Sequence, residues 1–208
     1  MKYFFSLLIC LFLLSCSNEN HVSITTEYGT MKVQLFDSTP KHKENFKKLV
    51  KEGFYNDLLF HRVIKGFMIQ GGDPASRGAA LDKPLGSGGP GYTIPAEIGT
   101  PHFKGMLSAA RLGNEVNPSK ESSGSQFFIV HGGPVTDADL DAMEHAKGIK
   151  YSPSQREKYK KLGGTPMLDG DYTVFGEVIS GLDVIDKIAD VPKDSRDRPT
   201  SDVKMSIK

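Results

Sequence analysis

Residues 60–73 read Phe-His-Arg-Val-Ile-Lys-Gly-Phe-Met-Ile-Gln-Gly-Gly-Asp, and this stretch decides how the rest of the chain is interpreted. It predicts two short strands, at 60–64 and 67–70, because apolar and β-branched residues dominate both runs. Lys65-Gly66 forms the break between them, since a glycine permits a tight turn. The stretch therefore predicts two adjacent strands joined by a turn.

The second run has two different faces. Phe67 and Ile69 alternate with Met68 and Gln70, as expected when successive side chains of a strand point to opposite sides. Gln70 and Arg62 thus lie among large apolar side chains. A cation beside an amide and an apolar floor is suited to orienting a polar backbone while burying an apolar ring. On this stretch alone, a barrel hairpin with a surface arginine is the alternative interpretation.

The N-terminal segment has the features of an export signal. Lys2 precedes an apolar run at 4–14 that is too short to span a bilayer as a helix, which is typical of a signal peptide. The run ends Leu-Leu-Ser-Cys, which resembles the bacterial lipobox and makes Cys16 the lipidated N-terminus. We expect a signal peptide at 1–15, a lipidated tether at 16–21 and a membrane-anchored lipoprotein of the cell envelope. An ordinary signal peptide with an incidental cysteine is the alternative.

Composition restricts the partners and cofactors. The two cysteines are Cys10, which would leave with the signal peptide, and Cys16, which lipid would block. The mature chain would then have neither a disulfide nor a zinc site built from cysteines. Lys plus Arg is 26 and Asp plus Glu is 25, so loss of Lys2 leaves 25 of each. A chain without net charge argues against nucleic acid as its main partner.

The rest of the chain predicts mostly strands. Alternating residues at 22–35 indicate a hairpin, and Thr39-Pro40 begins a helix, with Thr39 as its cap, that Gly53 ends. The glycine-rich segment 73–93 predicts a long loop and not a phosphate-binding loop, because no Lys-Ser or Lys-Thr follows it. Further strands are predicted at 105–110, 125–130, 171–178 and 202–207, and Leu182, Ile185 and Ile188 mark a late helix.

Two more helices are predicted between 134 and 166. One is at 136–147, which Thr136 can cap with Asp139 at its third position, and the other runs from the capping box at 152–155 onward. We expect them to form a semi-independent hairpin beside the site, so that a deletion of 136–162 leaves the remaining domain folded. The overall order is strands, helix, many strands, helix, strand. This order suits an antiparallel barrel with one helix over each open end.

Four blocks together resemble the cyclophilin signature: 60–73, 105–110, 124–129, and 168–170 followed by 174–176. The resemblance covers roughly 22–208, which we interpret as one domain with a helical insertion at about 134–166. It implies a mainly β fold, an eight-stranded antiparallel closed barrel capped by two α-helices. It also implies a peptidyl-prolyl cis–trans isomerase that needs neither a cofactor nor a metal.

The same resemblance implies the roles of individual residues. Arg62 would be the catalytic residue. The proline ring would lie in an apolar pocket, and polar groups would hold the substrate chain. The pocket residues would be Phe67, Met68, Phe128 and Leu168, and the substrate chain would be held by Gln70, Gln126 and the backbone of Ala110 and Arg111. The sequence departs from the family at the pocket rim, with Arg111 where Asn is frequent, Met167 where Trp is frequent and Tyr172 where His is frequent.

Prolyl isomerisation breaks no bond, so the residues above are sufficient for it. A hydrogen-bond donor that acts only in the twisted transition state accelerates the reaction. We expect a monomer whose clients are proline-containing segments of exported proteins. A peptide-binding module that does not depend on turnover is the alternative function, and an intact Arg62 favours the enzyme.

Overall fold

The computed structural model describes residues 20–208. The predicted signal peptide and Cys16, the expected lipidation site, lie outside this range. Within it, no helix is both long enough and apolar enough to cross a membrane.

The described chain contains ten strands and four α-helices. The strands are β1 His21–Thr26, β2 Gly29–Leu35, β3 Leu58–Ile64, β4 Met68–Gly71, β5 Thr93–Ile94, β6 Met106–Ala109, β7 Ser122–Ser123, β8 Phe127–Val130, β9 Val174–Ser180 and β10 Lys204–Ile207. The helices are α1 Pro40–Lys51, α2 Asp137–Lys147, α3 Pro153–Leu162 and α4 Leu182–Ala189.

Eight of the strands form a closed barrel in the order β1-β10-β3-β4-β8-β6-β9-β2. Every neighbouring pair is antiparallel. Strands β5 and β7 pair separately beside it. Closure leaves the barrel without an exposed sheet edge. The predicted fold class is therefore confirmed.

The barrel interior is one continuous apolar cluster that includes residues of α1 and α4. Phe46 and Leu49 of α1 pack on it, as do Ile185 and Ile188 of α4. Both helices have an apolar stripe because their apolar residues recur at three- and four-residue intervals. These are the two predicted capping helices.

The N-terminus of α1 differs from the prediction. Thr39 has the expected position, but its hydroxyl donates to the Phe36 carbonyl at 3.3 Å and does not cap the helix. The cap is instead the Glu97 carboxylate, which accepts from the backbone N–H groups of Lys41 at 3.1 Å and His42 at 3.0 Å. An acidic group at this end is favourable because the first N–H groups of a helix have no partner within it.

A second apolar cluster lies on the outer face of the barrel, and we call it the outer cluster. It consists of Met68, Phe103, Met106, Phe128, Val130, Val135, Leu140, Tyr151, Tyr159, Leu168 and Val174. Both capping boxes of the insertion are confirmed, at Thr136 before α2 and at Ser152 before α3. However, Leu140 of α2 and Tyr159 of α3 are fully buried in the outer cluster. The expectation of a semi-independent hairpin is therefore wrong, because these helices complete a core that the barrel shares.

Candidate active site

Arg62 owes its position to an irregularity in β3. The pairing register with β4 shifts between Phe60 and Arg62. Phe60 and Val63 both belong to the barrel interior, so two successive residues, His61 and Arg62, lie between them outside that cluster. A bulge of this kind bends a strand and changes the direction of a side chain. It places the Arg62 guanidinium beside Gln70, its partner on β4.

A chain of side-chain amides begins at Arg62. Its Nη1 donates to Gln70 Oε1 at 3.4 Å, and Gln70 Nε2 donates to Gln126 Oε1 at 3.2 Å. The Arg62 bond is long, and it is the one hydrogen bond of this guanidinium to any residue in the range 20–208. A guanidinium has five N–H donors. Arg62 is therefore held loosely on one side and keeps most of its donors for a ligand.

The glycine-rich loop anchors Gln126, the last residue in this row of hydrogen-bonded side chains. Gln126 Nε2 donates to the carbonyls of Gly86 at 2.9 Å and Gly88 at 2.7 Å. The loop in turn is folded around the buried carboxylate of Asp73, which accepts from the N–H groups of Gly86 at 2.5 Å and Ala75 at 2.8 Å. A Cβ at Gly88 would clash with that carboxylate. The predicted long loop is thus an ordered support for Gln126.

The apolar floor lies next to the amides. Met68, Phe128 and Leu168 are buried, with 2%, 4% and 9% of their surface exposed, and all three belong to the outer cluster. Phe67 packs against the same cluster and is half-buried. It lies in the turn before β4 and not in the strand, so it does not share a face with Ile69 as the alternation predicted. The reason is that β4 begins only at Met68, after Gly66 with its positive φ of 80°.

Aromatic contacts support the floor and form its rim. The His102 ring stacks on Phe128 with centroids 6.1 Å apart and an interplanar angle of 11°. Tyr172 meets Phe128 edge-on at 5.8 Å, and the Arg111 guanidinium covers the Tyr172 ring at 4.5 Å. Arg111 Nε also donates to the Asp171 carbonyl at 2.7 Å. The rim is therefore a stacked cation and ring, fixed against the floor.

The amides and the floor share neighbouring strands, because Gln70 on β4 pairs with Phe128 on β8. Residues 21–207 match the family model described as "Cyclophilin type peptidyl-prolyl cis-trans isomerase/CLD". The chain belongs to the cyclophilin family. Its enzymatic class is therefore that of the peptidyl-prolyl cis–trans isomerases.

Relatives agree with this assignment. A protein of Staphylococcus epidermidis, provisionally named a peptidyl-prolyl cis–trans isomerase, is 37% identical over 187 residues, which cover 89% of each chain. "Peptidyl-prolyl cis-trans isomerase-like 2" of Rhizopus delemar is 36% identical over 90% of this chain, but this chain spans only 28% of that longer protein. A crystal structure of a Cryptosporidium parvum cyclophilin, determined in the presence of the dipeptide Ala-Pro, superposes with a TM-score of 0.64 at 28% identity. It covers 90% of this chain and 96% of that one.

Of the two backbone positions expected to hold substrate in this cyclophilin, Ala110 is already engaged. Its N–H donates to the Gln126 carbonyl at 3.0 Å, and its own carbonyl accepts from Ser123 N–H at 2.8 Å. The Arg111 N–H and carbonyl make no hydrogen bond to any residue in 20–208. The available backbone groups at this edge of the cyclophilin pocket are thus those of Arg111.

Met167, expected at the rim, is not part of the pocket floor. It is 52% exposed and borders a separate cleft beside α2. Its carbonyl accepts from Lys147 Nζ at 2.5 Å, which ties it to the end of α2. Met167 therefore lies between the cyclophilin pocket and the insertion.

A buried carboxylate behind the pocket was missed in the sequence. Asp169 accepts from four donors: the N–H of His102 at 2.8 Å, the His102 Nδ1 at 2.7 Å, the Tyr151 hydroxyl at 2.8 Å and the Tyr159 hydroxyl at 2.6 Å. Burial, and then the neighbouring carboxylate, raise the pKa of both tyrosines well above the usual range, so they remain donors. The sequence offered one signal for this carboxylate, because Asp169 directly follows Leu168 in the fourth family block.

A cavity of about 300 Å³ opens beside Arg62 and Gln70. Arg62, Lys83, Arg196 and Arg198 contribute positive charge to its wall, and His61 lies in the same wall. Burial lowers the pKa of His61 from 6.5 to about 4, so the imidazole is neutral at physiological pH. The positive potential beside Arg62 therefore comes from arginine and lysine and not from the histidine.

Proposed function

We propose that Arg62 accelerates prolyl isomerisation by donating a hydrogen bond to the prolyl nitrogen in the twisted transition state. The barrier is the loss of amide resonance, about 18–20 kcal/mol. As the bond twists, the nitrogen regains a lone pair that it does not have in the planar ground state. A donor aimed at this atom stabilises the transition state more than the substrate, which is the condition for catalysis.

The observation that carries this proposal is the row of Arg62, Gln70 and Gln126 beside the floor of Met68 and Phe128. Arg62 cannot lose its charge at working pH. Gln70 would orient the carbonyl of the residue before the proline, and Arg111 would offer backbone groups to the chain ahead of it. The apolar floor would hold the ring and exclude water while the acyl side rotates.

The test compares Arg62→Ala with Arg77→Ala on a proline peptide. Arg77 is the matched control, since it is an exposed arginine that bonds to the carbonyls of Phe54 and Asn56. We expect kcat/KM to fall about 10²–10³-fold for Arg62→Ala, the size of effect seen when one transition-state donor is removed. Arg77→Ala should retain full activity, and peptide affinity should change little in either variant.

Two outcomes would contradict the proposal. If Arg62→Ala accelerates the cis–trans exchange of the peptide as much as the wild type does, Arg62 takes no part in the mechanism. A wild-type protein that binds the peptide without accelerating its exchange would be a peptide-binding module instead.

We further propose that the clients are proline-containing segments of exported proteins, and that the domain acts as a monomer anchored to a membrane of the cell envelope. The support is the signal-like sequence at 1–15 and the lipobox-like end at Cys16. Two or more acyl chains give stable anchoring. Cys16→Ser should move the protein from the membrane fraction to the soluble fraction. An unmodified N-terminus elsewhere, found by mass spectrometry of the native protein, would refute the lipid anchor.

A further inference from the structure

An apolar cleft of about 310 Å³ lies between α2 and the turn that precedes β4. Its lining includes the apolar residues Val135, Met143, Pro166 and Met167. Asp139 is the one ionisable residue among those that line it, and its carboxylate is engaged by the N–H and hydroxyl of Thr136 at 2.8 and 2.7 Å. Met167 is half-exposed, so part of its apolar surface faces solvent. An exposed apolar cleft of this kind is typical of a binding surface.

The cleft adjoins the floor of the candidate proline pocket along two segments of the chain. Met167 precedes Leu168 of the pocket floor, and Gly66, which also lines the cleft, precedes Phe67. One wall therefore belongs to the pocket segments and the opposite wall to α2. A side chain entering the cleft would thus belong to the same ligand as the ring in the pocket.

The β4–β8 ladder gives the direction in which a ligand would cross. Gln70 pairs with Phe128, and Met68 pairs with Val130. Going from Gln70 to Gly66 therefore leads from the amides, over the floor, to the cleft. The strand part of this path, from Gln70 to Met68, spans about 7 Å and the turn at 65–67 follows it, so an extended ligand covers the path with a few residues.

We infer that this cleft is a specificity subsite for an apolar side chain on the second or third residue after the proline. The inference rests on the proposed function, in which Gln70 takes the carbonyl of the residue before the proline. The chain that follows the proline then leaves toward Gly66 and the cleft. Because Met143 and Met167 are flexible, the subsite accepts several apolar side chains, such as Leu, Met and Phe, and not one shape alone.

The test uses two peptides that are identical up to the first residue after the proline. One has Leu at the second and third positions after the proline, and the other has Ser. We expect kcat/KM to be about five- to tenfold higher for the Leu peptide, since partial burial of one large apolar side chain has this effect. The difference should lie mainly in KM, because binding remote from the reacting bond is the same in ground and transition states.

A matched pair of variants locates the effect. Ala142 is exposed and lines the cleft, whereas Ala138 is exposed on the same helix and does not line it. Ala142→Glu should abolish the preference for Leu while turnover of the Ser peptide stays at the wild-type level. Ala138→Glu should keep the preference.

Methyl NMR gives a second readout, in which the Met143 and Met167 methyl signals should shift on addition of the Leu peptide and not the Ser peptide. Equal turnover of both peptides, or a preference that survives Ala142→Glu, would overturn the subsite while leaving the isomerase intact. Absence of turnover with either peptide would instead overturn the proposed function, and the subsite with it.

Discussion

The barrel interior and the outer cluster use opposite faces of the same strands. In β4, β6 and β8, Ile69, Leu107 and Ile129 fill the interior. The adjacent residues Met68, Met106 and Phe128 belong to the outer cluster. The interior is closed by the barrel and its helices α1 and α4, whereas the outer cluster is completed by α2 and α3. One face of these strands therefore makes the barrel, and the other makes the pocket together with the insertion.

Each region contains a buried histidine–carboxylate pair. His42 Nδ1 lies 2.6 Å from Glu97, and His102 Nδ1 lies 2.7 Å from Asp169. Burial alone would raise the pKa of Glu97, but hydrogen bonds from the His42 ring and from two backbone N–H groups outweigh it and lower that pKa. Glu97 caps α1 and so stabilises one of the two helices that pack on the barrel interior. Asp169 accepts from tyrosines of the insertion and so connects α3 to the pocket.

Replacing 136–162 by a short linker should lower the unfolding free energy more than any other change that tests this comparison. Leu140, Tyr151 and Tyr159 would be lost from the outer cluster. The unfolding free energy should fall by more than about 5 kcal/mol, because each large buried side chain contributes roughly 2–5 kcal/mol. Denaturant unfolding measures this loss.

The control for the deletion is Arg156→Ala, which removes the ion pairs of this arginine with Asp137, Asp141 and Glu144 but leaves Leu140, Tyr151 and Tyr159 in the outer cluster. It should lower the melting temperature far less than the deletion, since ion pairs within reach of solvent contribute little. A deletion variant as stable as the wild type would show that the insertion is independent after all.

The parts of the molecule that could be predicted from sequence are those with local causes. Strand alternation and the capping boxes at Thr136 and Ser152 depend on residues a few positions apart, and each family block is itself a short run of sequence. The Glu97 cap could not be predicted, because it lies 56 positions from Lys41. The Asp169 network is equally non-local, since its partners come from a loop before β6 and from the insertion. Phe67 was assigned to a strand because side-chain alternation does not show where a turn ends.

Acidification should lower the unfolding free energy by an intermediate amount, through the protonation of His61. His61 lies on β3 next to Phe60 of the barrel interior, yet it lines the cavity outside the barrel. The unfolded chain binds a proton on this residue below pH 6.5, whereas the folded protein does so only near pH 4. The unfolding free energy should therefore fall by about 3 kcal/mol between pH 7 and pH 4.

The matching variant is His61→Gln, which has no titrating group at this position. Its stability should be much less dependent on pH over the same interval, whatever its stability at pH 7. Parallel pH profiles of the variant and the wild type would show that folding does not lower the pKa of His61.

The central claim is that the outer cluster, and not the barrel interior, holds the proposed proline pocket in place. This claim can be tested by removing the hydroxyl group from each of two buried tyrosines. Tyr159 donates to Asp169 at 2.6 Å in the outer cluster, and Tyr55 donates to the Ser125 carbonyl at 3.2 Å from the barrel interior. Tyr159→Phe should lower the unfolding free energy by about 2 kcal/mol because its acceptor is charged, and Tyr55→Phe by about 1 kcal/mol.

The most direct measurement is kcat/KM of these two variants on the same proline peptide, well below their melting temperatures. We expect Tyr159→Phe to lose about fivefold, because Leu168 of the pocket floor is joined to Asp169. Tyr55→Phe should stay close to wild-type activity, because Gln126, which follows its acceptor Ser125, is held separately by the Gly86 and Gly88 carbonyls. Full activity in Tyr159→Phe, despite the expected loss of stability, would contradict the claim that the insertion holds the pocket in place.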